Sequence, residues 1–203
     1  ISYAKSNLIC PDELSEYVYS YLEKATVSVY KVYQERLQRE NLLDFDDLIA
    51  LVVRLFEKRP EVQEYYARKF EQILVDEYQD VNKMQYELVK KLSAIHGNIT
   101  VVGDDDQSIY AFRGANNKLI LHFEQDFPGA MVVKLEQNYR STEAILDAAN
   151  SLVSKNRARY AKKLWTTNGT GAPIRVFEAL TPEEEATFVA SIDESRMRDG
   201  EEA

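Results

Sequence analysis

Apolar residues recur every three or four positions in the first third of the chain, which predicts helices there. The stretch Pro11–Arg39 contains no internal glycine or proline and is predicted to be one helix. Residues 41–44 interrupt the pattern, and Asp44 is a candidate cap for a second helix. Pro60 ends that helix or opens the next, because proline fits only the first turn of a helix. Residues 1–70 are therefore predicted to form a helical subdomain.

Short apolar runs without polar alternation replace this pattern after residue 70. Four runs are predicted to be strands: Ile73–Val75, Ile99–Val102, Met131–Leu135 and Ile174–Phe177. Helical patterns separate or follow them: Met84–Ile95, Asn116–Phe127, Ser141–Ser154 and a last helix with Pro182 at its first position. Strands alternating with helices of about 10–15 residues are typical of βαβ units, and continuous apolar strands suit a parallel sheet covered on both faces.

Polar residues before two of these helices are candidate caps. We expect Ser141 or Thr142 to cap the helix that reaches Ser154. Thr181 is expected to cap the last helix, with Glu184 completing a capping box.

The composition is that of a globular protein: 203 residues, 45% apolar and 29% charged, which excludes wholesale disorder. No apolar run approaches the roughly 20 residues that a membrane span needs, so no membrane partner is expected. The first residues lack the basic-then-apolar pattern of a secretory signal, and the single cysteine, Cys10, fits a reducing compartment. We therefore expect a cytoplasmic location. His96 and His122 lack a second ligand at metal-binding spacing, which argues against a zinc enzyme.

The chain is acidic, with 34 acidic and 25 basic residues, a formal net charge of −9 and an isoelectric point of about 4.9. A protein that binds nucleic acid through a general positive field has the opposite balance. Any nucleic-acid site must therefore be local, or must use basic surface supplied from elsewhere.

Two carboxylates, Asp76 and Glu77, directly follow the first predicted strand. Ligands of parallel α/β sheets bind at the carboxyl ends of the strands. Beside a nucleotide, one carboxylate can hold Mg²⁺ while the other orients and deprotonates an attacking water. Taken alone, an acidic turn after a buried strand explains the pair more simply.

A second polar segment, Gly103–Ala115, follows the second predicted strand. Its three aspartates resemble a metal cluster, but a turn is the better interpretation. Gln107 carries a neutral amide that can bond both a phosphate and a carboxylate-held water. Tyr110, Phe112 and Arg113 combine aromatic faces with a guanidinium, as sites that stack single-stranded bases do. The alternative is that Tyr110 and Phe112 are core residues.

A third segment lies between a predicted strand and a helix N-terminus. Tyr139 offers a ring for an adenine, and Arg140 offers a planar fork suited to phosphate. The alternative is a packed tyrosine beside a surface arginine.

The three segments together resemble the UvrD/PcrA/Rep group of superfamily 1 DNA helicases. Val75–Asp80 resembles the Walker B block of that group, which usually has phenylalanine where Tyr78 stands. Gly103–Ala115 resembles its third motif and Asn138–Ser141 its fourth, in the same order and spacing. Weaker agreement comes from two further segments, Phe45–Leu48 and Lys163–Thr166.

The resemblance implies ATP and Mg²⁺ as cofactors and assigns roles to the matching residues. Asp76 would bind the Mg²⁺ on ATP, and Glu77 would be the catalytic base. Gln107 would sense the γ-phosphate and pass that state towards the DNA. Tyr139 would stack on adenine, and Arg140 would reach the γ-phosphate as an arginine finger.

The same resemblance implies single-stranded DNA and single-strand/duplex junctions as partners. Tyr110, Phe112 and Arg113 would lie along the path of the strand. Phe112 stands where many relatives have tryptophan, which implies weaker stacking on a base.

The implied fold is α/β: an incomplete RecA-like P-loop NTPase with a parallel sheet, preceded by a helical subdomain. Residues 1–70 would be the C-terminal part of a helical insertion, 71–136 the second part of the first RecA-like ATPase domain, and 137–203 the beginning of the second. None of the seven glycines begins the phosphate-binding pattern G-x-x-x-x-G-K-[ST]. The chain is therefore expected to be an internal piece of a helicase that requires the rest of the same chain and is inactive alone.

The leading hypothesis is part of an ATP-driven DNA translocase and helicase, acting in DNA repair or replication. One alternative is a non-catalytic half-motor that binds DNA or a protein without hydrolysing ATP. Another is the motor part of a helicase–nuclease. An upstream phosphate loop would separate the first two hypotheses, and a downstream carboxylate-rich nuclease domain would indicate the third.

Overall fold

The computed structural model describes the backbone of residues 1–198 and the side chains of residues 1–192. The chain divides into two compact units. The first unit comprises Ile1–Lys134 together with Lys155–Lys162. The second comprises Leu135–Ser154 and the chain from Lys163 onward. Among the described helices, none combines the length and the apolar character that a membrane span requires.

Five helices open the first unit: α1 (Ser2–Ser6), α2 (Pro11–Ser15), α3 (Tyr21–Arg39), α4 (Asp47–Lys58) and α5 (Pro60–Lys69). The single helix predicted for Pro11–Arg39 is wrong, because α2 ends at Ser15 and α3 starts at Tyr21. Ser20 caps α3: its Oγ accepts the N–H of Glu23 at 3.2 Å, and its own N–H donates to Glu23 Oε2 at 2.9 Å. This reciprocal cap starts a new helix without a glycine or proline before it. The prediction of one helix relied on the absence of those residues and therefore missed the break.

The predicted cap at Asp44 is confirmed in part, because Asp46 occupies the cap position of α4 without a side-chain bond. Asp44 Oδ1 accepts the N–H of Asp47 at 2.9 Å, which satisfies a free donor at the start of α4. The buried Lys5 Nζ lies 2.7 Å from Asp44 Oδ2 and 2.8 Å from Asp47 Oδ1. Lys5 thereby fixes α1 to the start of α4. Pro60 opens α5 at its first helical position.

Two short strands, β1 (Ile73–Val75) and β2 (Ile99–Val101), form a parallel sheet in which Ile73 faces Ile99. Helix α6 (Lys83–Ser93) connects them, so the predicted βαβ unit is confirmed. Asn82 caps α6, since its Oδ1 accepts the N–H of Gln85 at 2.9 Å. The core under the sheet contains Tyr78, Val81, Tyr86 and Ile120, with Val75, Val101 and Phe123 packed against them.

The single helix predicted for Asn116–Phe127 is two short ones, α7 (Lys118–Leu121) and α8 (Phe123–Asp126). His122 leaves helical geometry between them, with φ −105° and ψ 12°. The turn at His122 places the Phe123 ring edge-on to Tyr78, with centroids 5.5 Å apart. Residue spacing alone does not register a change of direction at one residue.

The strands predicted for Met131–Leu135 and Ile174–Phe177 are wrong. Neither segment pairs with another in the part of the chain that the structure describes, and both are largely solvent-exposed, Val176 by 92%. An apolar run becomes a strand only when a second backbone edge pairs with it. In the second unit the backbone instead forms a parallel bridge between Gln137 and Trp165.

The second unit contains α9 (Glu143–Val153) and α10 (Pro182–Arg198). The predicted side-chain cap of α9 is wrong, because Thr142 occupies the cap position without a side-chain bond. The backbone carbonyls of Gly169 and Thr170 accept the first N–H groups of α9 instead, at 2.9 and 3.0 Å.

The predicted cap of α10 is confirmed in part. Thr181 Oγ1 accepts the N–H of Glu184 at 3.2 Å, as expected. The Glu184 carboxylate accepts the N–H of Leu180 at 2.9 Å rather than that of Thr181.

Candidate functional site

The loops that leave β1 and β2 lie side by side at one edge of the sheet. Both strands are parallel, so their carboxyl ends meet there. The N–H of Val102 donates to Val75 O at 2.8 Å, and the N–H of Tyr78 donates to Val102 O at 2.9 Å. The structure therefore brings the Asp76–Glu77 pair and the segment that begins at Gly103 into one site.

Glu77 adopts a left-handed backbone conformation, with φ 51° and ψ 43°. This conformation costs a residue with a Cβ about 1–2 kcal/mol, so neighbouring contacts must maintain it. Its N–H donates to Asp76 Oδ1 at 2.9 Å, and Gln79 Nε2 donates to Glu77 Oε2 at 2.7 Å. Asp76 and Glu77 are both solvent-exposed.

Each of the two carboxylates has one oxygen that no other described residue contacts by a hydrogen bond. Asp76 Oδ2 and Glu77 Oε1 have no hydrogen-bond partner among the described residues. Exposed carboxylate oxygens at the end of a strand are the donors that Mg²⁺ prefers. The residues present therefore fit a magnesium ion held by Asp76, with Glu77 beside it.

Gln79 links the Glu77 carboxylate to the second loop, and the sequence did not single it out. The side chain is buried, with 1% exposed, and its Oε1 accepts the N–H of Asp104 at 2.9 Å. Asp104 Oδ2 in turn accepts Gln107 Nε2 at 2.8 Å, while Gln107 itself is exposed. The sequence does not indicate which of the polar side chains in Asp76–Asp80 is buried.

The three aspartates form a turn, as predicted. Asp104 Oδ1 accepts the N–H of Asp106 at 3.0 Å and so caps the short 3₁₀ turn Asp105–Gln107. The three carboxylates lie close together, with ligand atoms within 4.8 Å of one another, but two cations already pair with them. Lys162 Nζ lies 2.5 Å from Asp104 Oδ1 and 2.8 Å from Asp105 Oδ1. Arg159 pairs with Asp106 at 2.6 Å.

These ion pairs shift two pKa values. Burial alone would raise the pKa of Asp104, but hydrogen bonds from Lys162 and Gln107 outweigh it and hold the pKa below its usual value. Burial alone would lower the pKa of Lys162, but its bonds to Asp104 and Asp105 raise it. The sequence gives no sign of this pairing, because 58 residues separate Lys162 from Asp104.

Tyr110, Phe112 and Arg113 form a cluster beyond the aspartate turn. The Arg113 guanidinium lies 4.8 Å from the Tyr110 ring centroid and 5.4 Å from that of Phe112. Phe112 is 76% exposed, so the interpretation of Phe112 as a core residue is wrong, while Tyr110 is half-buried. An exposed ring beside a guanidinium is a surface on which a nucleic-acid base can stack.

Tyr139 and Arg140 lie in the second unit on a turn built by Asn138. Asn138 Oδ1 accepts the N–H groups of Arg140 and Ser141 at 2.9 and 2.7 Å, which fixes the turn ahead of α9. Tyr139 is 76% exposed, so the interpretation of a packed tyrosine is wrong. The exposed Arg140 guanidinium has no ion-pair partner within residues 1–192.

Two family models match the chain. The model described as UvrD/REP helicase N-terminal domain matches residues 1–128, more than half of the sequence. This chain belongs to the UvrD/REP helicase family. The model described as UvrD-like helicase C-terminal domain matches residues 133–202.

Individual relatives agree with this family. The ATP-dependent DNA helicase PcrA of Staphylococcus aureus strain Mu50 is 48% identical over 200 residues, which cover 98% of this chain and 27% of that protein. The protein of the same name from Staphylococcus epidermidis is 47% identical over the same share of each chain. The chain thus spans about a quarter of the length of these relatives, 27% in each case.

Membership of the UvrD/REP family implies a RecA-like fold, and the parallel β1–α6–β2 unit is α/β as that fold requires. The predicted site residues are divided between the two units of this UvrD/REP helicase chain. Asp76, Glu77, Gln107 and the aromatic cluster share the first unit, whereas Tyr139 and Arg140 belong to the second.

Proposed function

We propose that this chain is part of an ATP-dependent DNA helicase that couples ATP hydrolysis to movement on single-stranded DNA and to duplex unwinding, in DNA repair or replication. The proposal rests on one observation above all. In a UvrD/REP family chain, the loop of Asp76 and Glu77 and the loop of Gln107 are hydrogen-bonded at one sheet edge. ATP and Mg²⁺ are the proposed cofactors.

The first unit supplies the hydrolytic groups in this proposal. Asp76 holds Mg²⁺, which would neutralise charge on the phosphates of bound ATP. Glu77 Oε1, exposed and unpaired among the described residues, accepts the proton of the attacking water. Gln107 senses the γ-phosphate, and its bond to Asp104 keeps its amide at the sheet edge until a phosphate replaces that partner.

The second unit supplies two further groups. The exposed ring of Tyr139 stacks on adenine, and the Arg140 guanidinium reaches the γ-phosphate. The fixed turn at Asn138 supports the role of Arg140, because it sets the backbone of that residue.

The DNA strand passes over Tyr110, Phe112 and Arg113 in this proposal. The exposed Phe112 ring and the guanidinium beside both rings support base stacking. This local contact is compatible with the net charge of −9, since it does not depend on a general positive field. Single-strand/duplex junctions are the proposed DNA structures.

The proposed domain assignment keeps residues 1–70 as part of a helical insertion, 71–136 as the second part of the first RecA-like domain and 137–203 as the beginning of the second. The two family models meet between residues 128 and 133, which supports a division in this region. The rest of the same chain is the proposed partner for ATP binding, because none of the seven glycines here opens a phosphate-binding loop. The cytoplasm remains the proposed location.

The test uses the full-length protein that contains this chain. We expect single-stranded DNA to stimulate its ATP hydrolysis, and ATP to drive separation of a partial duplex with a single-stranded tail. Binding of single-stranded DNA without hydrolysis would instead indicate a non-catalytic half-motor. Cleavage of the DNA during ATP-dependent unwinding would indicate a helicase–nuclease.

A further inference from the structure

We propose that Gln79 is a positioning residue that ties the catalytic base Glu77 to the loop carrying Gln107, so that the orientation of the base depends on the state of that loop. This inference rests on the proposed function, since it concerns the same hydrolytic site. It gives a role to a side chain that contacts neither of the proposed ligands itself.

The contacts of Gln79 fix the direction of its amide. Nε2 donates to Glu77 Oε2 at 2.7 Å, and Oε1 accepts the N–H of Asp104 at 2.9 Å. Turning the amide over would set Oε1 against a carboxylate and Nε2 against an N–H, so both bonds would be lost. The amide therefore has one orientation that satisfies both neighbours.

Close packing holds the side chain in that orientation. Gln79 is 1% exposed, and Gly103 lies directly against it. A Cβ added at Gly103 would lie 2.6 Å from Gln79 Oε1 and 2.9 Å from Ile120 Cδ1. The glycine is required here by close approach, and the amide has no space in which to move independently of its two partners.

The bond on the loop side connects Gln79 to Gln107. Asp104 gives its N–H to Gln79 and accepts Gln107 Nε2 with its carboxylate at 2.8 Å. A shift of the Asp104 backbone would therefore alter the hydrogen bond to Gln79 and the hydrogen bond to Gln107 together. Tyr110 lies three residues after Gln107 on the same segment, so DNA bound at Tyr110 and Phe112 can act on this loop.

The bond on the catalytic side orients the Glu77 carboxylate. With Oε2 engaged by Gln79, Oε1 is the oxygen left to accept a proton from water. Loss of this bond would leave the carboxylate free to rotate about its side-chain torsions. The rate of hydrolysis should then fall while the binding of nucleotide and DNA is retained.

The experiment compares Gln79→Met with wild type in the full-length protein. Methionine is similar in volume but makes neither bond. Steady-state ATP hydrolysis is measured with and without single-stranded DNA, and affinities are measured with a fluorescent non-hydrolysable ATP analogue and with labelled DNA. We expect the DNA-stimulated kcat to fall about ten- to a hundredfold, the ratio of stimulated to basal rate to approach one, and both affinities to change less than about twofold.

The matched control is Gln85→Met. Gln85 is a partly buried glutamine of the same unit whose Oε1 accepts the N–H of Asn82 at 3.0 Å, away from Glu77. It should lower stability through loss of a helix cap yet leave the ratio of DNA-stimulated to basal rate unchanged. A Gln79→Met protein that keeps this ratio, or loses rate only as much as Gln85→Met, would show that Gln79 merely packs.

A second variant, Gln79→Asn, keeps the test decisive if Gln79→Met does not fold. Asparagine retains a buried amide but is one methylene too short to bond both partners, so DNA stimulation should again be lost. Normal DNA stimulation in Gln79→Asn would overturn the proposal. A wild-type protein without DNA-stimulated hydrolysis would instead contradict the proposed function, which distinguishes the two failures.

Discussion

At the scale of single residues, Tyr78 places a polar hydroxyl in an apolar core. Tyr78 is fully buried, its hydroxyl has no hydrogen-bond partner among the described residues, and burial raises its pKa. A buried hydroxyl without a partner costs free energy, so Tyr78→Phe should leave the free energy of unfolding unchanged or raise it by about 1 kcal/mol. Chemical denaturation measures this.

Tyr30→Phe is the control for that prediction. Burial raises the pKa of Tyr30 to about 12, but its hydroxyl donates to Ile9 O at 3.2 Å. Removing this bond should destabilise the protein by about 0.5–1.5 kcal/mol. A larger loss for Tyr78→Phe than for Tyr30→Phe would show that the Tyr78 hydroxyl has a partner after all.

Phe112 permits a second prediction at the residue scale. Because Phe112 is 76% exposed, Phe112→Ala should change stability by no more than about 0.5 kcal/mol. Base stacking is worth roughly 1–3 kcal/mol, so single-strand binding by the full-length protein should weaken about five- to more than a hundredfold. Ile109→Ala, another exposed apolar residue of the same segment, should leave binding near normal. Equal DNA binding by the wild type, Phe112→Ala and Ile109→Ala at fixed salt would show that Phe112 is not part of the DNA site.

At the scale of elements, the segment Lys155–Lys162 supports the aspartate turn. Lys162 forms ion pairs with Asp104 and the buried Asp105, so Lys162→Met should destabilise the protein by about 3 kcal/mol. The exposed Lys163 is the control, and Lys163→Met should have an effect within about 0.5 kcal/mol. Similar denaturation midpoints for the two variants would contradict a structural role for the ion pairs.

The same turn makes stability depend on pH. The pKa of Asp104 is lowered in the folded protein, so its contribution is present above the unfolded value of about 3.9 and is lost as pH falls through the folded value. Burial alone would raise the pKa of Asp44, but hydrogen bonds from Lys5, the N–H of Asp47 and Tyr33 outweigh it and hold the pKa low. The free energy of unfolding should therefore decrease as the pH is lowered past about 4. The decrease should be less steep in Lys162→Met. A flat profile down to pH 3 would be inconsistent with these pairs.

Elements with local signals could be predicted from the sequence, and elements that depend on distant partners could not. Asp44 and Thr181 mark helix starts through hydrogen bonds to residues three positions away. Pro60 marks one because proline fits the first position of a helix. Met131–Leu135 has the composition of a strand, but pairing requires a second backbone edge that no local pattern reports. The cap of α9 comes from Gly169 and Thr170, more than 20 residues away.

The residues of the candidate site also fall into those that the sequence reveals and those that it does not. Asp76 and Glu77 are visible in the sequence because they end an apolar strand. Gln79 and Lys162 are not, because their importance lies in burial and in contacts to a loop 25 and 58 residues distant.

At the scale of the whole molecule, the chain carries the proposed magnesium ligand and base but no phosphate-binding loop among its seven glycines. The 203-residue chain by itself should therefore release phosphate from Mg²⁺-ATP at background rates, with or without single-stranded DNA. A phosphate-release assay checks this. Robust turnover that disappears in Glu77→Gln would show that the chain binds ATP by another route.

The most direct test of the proposed function is Glu77→Gln in the full-length protein. A general base acts in the transition state rather than in ground-state binding, so kcat should fall about 10²–10⁴-fold while nucleotide affinity changes little. Glu71→Gln, an exposed glutamate just before β1, should behave as wild type. Near-normal DNA-stimulated turnover in Glu77→Gln, or a collapse of nucleotide affinity, would contradict the assignment of Glu77 as the base.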